Sequence, residues 1–488
     1  LDILGLLSPE LVLLATGLLV LILDLVFYRE GGRQVWLPLV AVAGLIGALV
    51  ATSLLWGTQE SLLSGMLAVD SFALFFQVVA GLATLLIILA SWDYFKGKTP
   101  FEGEFYGLLV LVTLAVTLAA ASTDLIMVYL SMEFLSIGSY ILVGYLRDDP
   151  KSSEGAIKYF LYGAIASGIM LYGMALVYGV TGTTNLAAIA ETLASGQLTG
   201  DFLWLVIPAL VMLLAGFGFK IALVPFHHWS PDAYEGAPTP VTAFLSVGPK
   251  AAGFAILVRV FLVAFPSFQV DWVAVLAGIS MITMTLGNVV ALKQKNIKRM
   301  LAYSSIAQAG YILIGFASVA LDSPSVFNGV NGVLLYLLGY LFTNVGVFVA
   351  VIAFENSTGS NEISDYAGLV KRSPWLAGTL FVLLLSLTGI PPTAGFIGKF
   401  FVFAAAINVQ FYVLALVGIV NSVVAAFYYL NVVRYMFFLP AEQESKVKVS
   451  PPLAVALGIA TAVTLLIGLY PQPFIDFATH SVRLLSIL

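Results

Sequence analysis

Lys220-Ile-Ala-Leu-Val-Pro225-Phe-His-His-Trp229-Ser-Pro231 decides how this chain folds. An apolar run from residue 201 meets a lysine, a proline and paired histidines, and another begins near residue 238. Proline removes a backbone donor and clashes with the preceding turn, so a helix entering this stretch unwinds. Unwound backbone at membrane depth survives only where protein or water satisfies it. A second stretch, Gly389-Ile-Pro391-Pro392-Thr-Ala-Gly395-Phe-Ile-Gly398-Lys399, puts glycines, prolines and a lysine inside another apolar run.

Around these two interruptions the chain is overwhelmingly apolar. It has 488 residues, 60% of them hydrophobic and 10% charged. Apolar stretches of about 20 residues, enough to cross a hydrocarbon core of ~30 Å, recur along its length. The fold class is an all-α polytopic membrane protein; the short alternating segments of a membrane β-barrel are absent from the pattern. Fourteen spans are predicted: 7–28, 36–57, 70–94, 103–122, 124–146, 154–181, 201–225, 238–265, 271–292, 296–319, 326–354, 374–406, 408–438 and 451–484. The first is read as a true span, being too long for a signal-peptide core and lacking a basic leader. The loops leave no room for a soluble domain.

Basic residues set the sidedness. Loops after spans 1, 3, 5, 9, 11 and 13 hold 16 of the 21 lysines and arginines, among them Arg29, Arg33, Lys98, Lys151, Lys158, Lys298 and Arg299. Loops after even-numbered spans hold none, four basic residues lie within spans, and Arg483 lies near the end. The positive-inside rule puts the odd loops in the cytoplasm and both termini outside. The two interruptions fall in spans 7 and 12, five spans apart. Five is odd, so spans 4–8 and 9–13 form two inverted repeats, and matched broken helices in inverted repeats point to a transporter's ion site. The predicted organisation is 1–102 (spans 1–3), 103–265 (first repeat), 271–438 (second repeat) and 451–488 (span 14).

Five charges lie inside the spans: Glu133, Lys220, Lys250, Arg259 and Lys399. Each costs about 2.5–3.5 kcal/mol on insertion scales, so it needs a use or a partner. Glu133 is nine residues beyond Asp124, roughly 13 Å deep at 1.5 Å per residue. Lys220 lies in the same repeat. The two are expected to pair, the pair setting the lysine's hold on its proton. Lys250, in Phe244-Leu-Ser-Val-Gly-Pro249-Lys250-Ala-Ala-Gly253, is a candidate relay. Arg259 hardly deprotonates and reads as structural or field-setting. Lys399 is the terminal donor or acceptor of the second repeat. His227 is a candidate for taking protons from the inner water phase, and His228 is a weaker one. The adjacent histidines and distant carboxylates lack zinc-ligand spacing. Ser131, Ser136, Tyr140, Tyr303, Ser304, Ser305 and Gln308 are candidates for hydrated connections or interhelical glue. With no cysteine there are no thiolate-held iron–sulfur clusters, and no glycine-rich nucleotide loop follows a strand. No cofactor is expected in this chain, and no nucleic-acid partner.

Phe219-Lys220 through Trp229, Pro231-Asp232-Ala-Tyr-Glu-Gly-Ala-Pro238-Thr-Pro-Val241, Lys298-Arg-Met-Leu-Ala-Tyr-Ser-Ser-Ile306 and Gly389 through Lys399 resemble the antiporter-like subunits of respiratory complex I, the NADH:quinone oxidoreductase. The resemblance covers nearly the whole chain. It is nearest the N-type branch, because Tyr234 to Pro238 and the Lys250 context match it, and because Lys399 stands where the M type has glutamate. The chain ends after span 14, without the long lateral helix of the L type. The cyanobacterial and plastid counterpart is close in these motifs.

The resemblance implies a bacterial inner-membrane subunit that moves protons outward. Glu133, Lys220, Lys250 and Lys399 would be its relay. Flavin, iron–sulfur clusters and quinone would lie in partner subunits, and other antiporter-like membrane-arm subunits would be its neighbours in the bilayer. Two positions depart from part of the family. His228 is at a variable place, and Gln308 stands where some relatives have histidine, which argues against a titrating role in span 10. The alternatives are a subunit of a multisubunit cation/proton antiporter, and a scaffold that only couples its neighbours.

Overall fold

A computed structural model describes residues 2–27, 34–195, 204–320, 326–441 and 445–482. Arg29, Arg33 and Arg483 lie outside the described residues. Twelve helices there are long and apolar enough to cross a membrane. Spans 7 and 12 are each split into two shorter helices, Val206–Ile221 with Trp229–Gly236 and Pro374–Thr388 with Ala394–Asn408. Twelve and two make the fourteen spans expected. Spans 8 (Thr239–Ala264), 10 (Ile297–Ala317) and 11 (Gly329–Thr358) are enclosed by the others. Spans 1, 2, 6, 9, 13 and 14 leave much of their apolar surface on the outside, as helices that face lipid do.

Two boundaries differ from expectation. Trp229–Gly236, read as loop, is the second half of span 7. Its polar sequence hid it, but its charges are matched from neighbouring segments. Asp232 pairs with Lys158 and Arg299, both at 2.7 Å, and Glu235 with Lys151 at 3.1 Å and Arg299 at 3.0 Å. Span 14 is shorter than 451–484. Its helix stops at Leu469, and a separate helix, Gln472–Ser481, follows Pro471, because proline opens a helix but cannot continue one. A small antiparallel hairpin, Glu60–Leu62 with Leu67–Val69, was not anticipated.

The two repeats match in detail. Asp124 caps span 5 (Leu125–Val143), and Asn296 caps span 10. Each cap residue bridges to the segment after the next span, Asp124 to Asn185 and Asn296 to Glu362. Spans 6 (Pro150–Thr181) and 11 both end on a left-handed glycine, Gly182 at φ 71° and Gly359 at φ 72°. The breaks match as well. Ala222 and Gly389 are left-handed, and Leu223 N–H donates to Gly218 O as Ile390 N–H donates to Leu385 O.

The loops segregate as the inversion demands. Segments after spans 3, 5, 7, 9, 11 and 13 line one cavity of about 1150 Å³. Segments after spans 2, 4 and 6, with the end of span 8, line another of about 340 Å³. The Asn296–Glu362 bridge belongs to the first face, which carries the basic loops, and the Asp124–Asn185 bridge to the other.

Candidate functional site

Lys220, Lys250 and Lys399 are all buried, and each is held by a different device. Lys220 occupies the last turn of the first half of span 7. Its Nζ donates to Ser136 Oγ at 2.8 Å and lies 5.9 Å from the centre of the Tyr159 ring. Ser136 is three residues beyond Glu133 on span 5, so it stands one turn from the carboxylate. Glu133 is half-buried and accepts from Ser167 Oγ. The direct ion pair expected between Glu133 and Lys220 is therefore replaced by two serine contacts. Span 5 keeps the two charges in electrostatic range without joining them. Neither spacing nor composition reveals Ser167, which reaches Glu133 from span 6.

Lys250 points the other way, toward span 10, where its Nζ donates to the backbone carbonyl of Ser305. The proline before it, Pro249, cannot supply the N–H that Leu245 O would receive in a regular helix. Tyr234 OH, from the second half of span 7, donates to that carbonyl at 3.2 Å. Gly253, one turn beyond Lys250, lies against the stem of Lys220. A Cβ there would sit 3.4 Å from Lys220 Cγ and 2.4 Å from Ile221 Cγ2. Glycine thus allows span 8 to approach the stem of Lys220 one turn beyond Lys250, while the two ammonium groups find different partners.

Lys399 lies in the second half of span 12 and reaches back across the break. Its Nζ donates to Leu387 O at 3.2 Å and Thr388 O at 2.8 Å, the last carbonyls of the preceding half-helix. It also lies 4.5 Å from the centre of the Tyr311 ring. A cation at a helix C-terminus is favoured by the dipole and by the free carbonyls there.

Between Lys250 and Lys399 runs a chain of buried polar groups. Ser304, next to the residue that Lys250 bonds, shares a 2.5 Å hydrogen bond with Tyr429 OH. Gln308 Nε2 donates to Tyr429 OH at 3.3 Å and to Leu387 O at 3.1 Å. Leu387 O is also an acceptor for Lys399. Tyr336 OH donates to Gln308 Oε1. Gln308, set aside as non-titrating, is thus the central link between two lysines 149 positions apart in the sequence.

The remaining candidates separate. Arg259 is paired with Asp70 through two hydrogen bonds of 2.8 and 3.0 Å, and its Nε donates to Ala120 O at 3.0 Å. Asp70 also caps span 3 by accepting from Ala73 N. Arg259 accordingly ties spans 3, 4 and 8 together near the non-basic face. His227 does not sit at the inner surface. It is buried in the break of span 7, one half-helix in from that surface, and its Nδ1 has no hydrogen-bond partner among the described residues. His228 is exposed and its ring lies 4.3 Å from that of His227.

Fourteen spans in two inverted units with matched broken helices define the antiporter-like class of membrane subunit. A family profile described as "NADH:quinone oxidoreductase/Mrp antiporter, TM" matches residues 122–425. The NADH-quinone oxidoreductase subunit N of Trichlorobacter lovleyi is 44% identical over 99% of this chain and 97% of its own length. In the respiratory complex I of Thermus thermophilus, solved with bound aureothin, one chain superposes with a TM-score of 0.79 at 32% identity, covering 96% of this chain and 98% of that one. A chain of the Mrp complex from Dietzia sp. superposes with a TM-score of 0.85 at 24% identity, over 99% of this chain and 98% of that one; this likeness shows the fold alone. The chain belongs to the subunit N family of NADH-quinone oxidoreductases.

Proposed function

We propose that this chain carries protons across the bacterial inner membrane as a non-redox subunit of an NADH:quinone oxidoreductase. Flavin, iron–sulfur clusters and the quinone site belong to partner subunits, and other antiporter-like subunits of the membrane arm flank it. The basic-loop face is cytoplasmic. The observation that carries this reading is the buried row from Ser136 and Lys220 through Lys250, Ser304, Tyr429 and Gln308 to Lys399.

Lys220 holds a proton against Ser136 and trades it as Glu133 approaches or recedes. The neutral amine of Lys250 receives it from the Lys220 ammonium when the two side chains turn toward each other across Gly253. The hydroxyls and amide of spans 10 and 13 connect Lys250 with Lys399. Moving one charge against ~100 mV needs about 2.3 kcal/mol, and a two-unit swing in a lysine's pKa supplies about 2.7 kcal/mol. A carboxylate opening and closing on Lys220 is therefore energetically sufficient.

Alanine substitution at Lys220 in the intact complex, reconstituted in vesicles, tests the reading. Expected is a fall in protons moved per quinone reduced, with assembly intact. Full proton transfer in an assembled Lys220→Ala complex would instead favour a scaffold. The family profile, which spans Mrp antiporters as well, favours a second reading, exchange of a cation for protons. Proton flux driven by a sodium gradient, without any quinone reduction, would establish it.

A further inference from the structure

The large cavity on the basic-loop face has a floor that the relay leaves unused. Glu355, near the end of span 11, has only 12% of its side chain exposed. Its Oε1 accepts from Tyr94 OH at 2.8 Å and from Lys98 Nζ at 3.3 Å. Its Oε2 accepts from Thr239 Oγ1, and the N–H of Thr239 donates to Tyr94 OH at 3.1 Å. Thr239 is the first residue of span 8, the helix that carries Lys250.

From this floor a polar stripe leads inward. Thr239, Thr242, Ser246 and Lys250 recur at spacings of three and four, so they share one face of span 8. All four are buried. From Thr239 to Lys250 is roughly 16 Å along the helix at 1.5 Å per residue. Span 11 supplies the facing stripe. Asn344 Nδ2 donates to Ser246 Oγ at 2.7 Å, and Tyr340 OH donates to Ser305 Oγ at 3.0 Å, on the residue whose carbonyl holds Lys250. The second amide atom, Asn344 Oδ1, is buried without a hydrogen-bond partner among the described residues. A buried acceptor of this kind is costly to leave unmade, and it lies between the acid and the amine, nearer the amine.

We infer that Glu355 is the acid through which the cavity delivers protons to Lys250, along the facing polar stripes of spans 8 and 11. The step balances simply. The carboxylate takes a proton from water in the cavity, passes it to the neutral amine of Lys250 through the hydroxyls of Thr239, Thr242 and Ser246 and water between them, each accepting one proton and releasing one, and returns to carboxylate. The inference rests on the relay reading above and adds its entrance.

Glu355→Gln keeps the size and most hydrogen bonds of the side chain but cannot carry a proton. In the assembled complex in vesicles, this variant is expected to slow proton transfer through the chain by roughly tenfold or more. Glu355→Asp, which restores the acid, is expected to recover it. Full proton transfer in Glu355→Gln, while Lys250→Ala abolishes it, would overturn the entrance and leave the relay standing. Full transfer in both variants would overturn the relay itself. Should Glu355→Gln fail to assemble, Ser246→Ala, which removes one hydroxyl from the stripe, carries the test. A severalfold slower transfer supports the route, and an unchanged rate overturns it.

Discussion

The breaks in spans 7 and 12 share one backbone design and use their lysines in opposite ways. In both, a left-handed residue closes the first half-helix and the same five-residue hydrogen bond follows it. At span 12 the lysine comes after the break and reaches back to two carbonyls at the end of the preceding half-helix. At span 7 it comes before the break and turns away to a single serine hydroxyl on span 5. Lys399 is thus anchored by backbone that cannot move without remaking a helix end. Lys220 is held by one neutral contact, one turn from a carboxylate. A relay needs both: a cation that responds to its surroundings and another that stays in place while its proton leaves.

The largest way to break this contrast is Gly389→Ala. Gly389 has φ 90°, and a Cβ there would lie 2.8 Å from Lys399 Cδ. Left-handed strain of ~1–2 kcal/mol, added to loss of a charged hydrogen bond of ~1.5–3 kcal/mol, predicts a destabilisation of about 3 kcal/mol. Thermal unfolding of the purified complex in detergent measures it, and unchanged stability would show that Lys399 is not fixed by this carbonyl pair. Gln308→Leu is next. It strips a partner from Tyr429, Tyr336 and Leu387 O, and about 1–3 kcal/mol should be lost by the same measurement. No loss there would mean that spans 10 and 12 are joined by packing alone. The smallest effect has the opposite sign. Ala222 holds φ 60°, so Ala222→Gly relieves strain and should stabilise by less than about 1 kcal/mol, glycine's greater unfolded freedom offsetting part of the gain. A loss would show that the Ala222 methyl packs more than it strains.

The breaks were legible because their cause is local: proline and glycine beside lysine inside an apolar run need no partner to be recognised. The count of fourteen was legible for a similar reason, since apolar length and alternating basic loops constrain each other. What escaped is set by distance. Asp70 reads as a cap for span 3, and nothing in its neighbourhood announces Arg259, 189 positions away. Glu355 reads as a charge at a helix end and becomes an enclosed acid only when Tyr94 and Thr239 close over it. Gln308 is legible as a candidate connector without a titrating role; that its amide joins two acceptors on spans 12 and 13 is not. Trp229–Gly236 reads as loop because the three cations that pair with it, Lys151, Lys158 and Arg299, belong to spans 6 and 10.

That short half-helix has a mechanical consequence. Its polar end is clamped by Lys151, Lys158 and Arg299, and Trp229 at its other end stacks on Tyr159 at 4.0 Å and donates to Phe219 O. Along its length, Tyr234 fills the hydrogen-bonding gap that Pro249 leaves in span 8. The segment is therefore tied at both ends, beside the break at residues 222–228. An ion pair lost at the surface would loosen the segment that holds Tyr234 on Leu245 O, the brace of the turn before Lys250. The charged surface is thereby coupled through one phenol to the turn of span 8 that carries the buried amine.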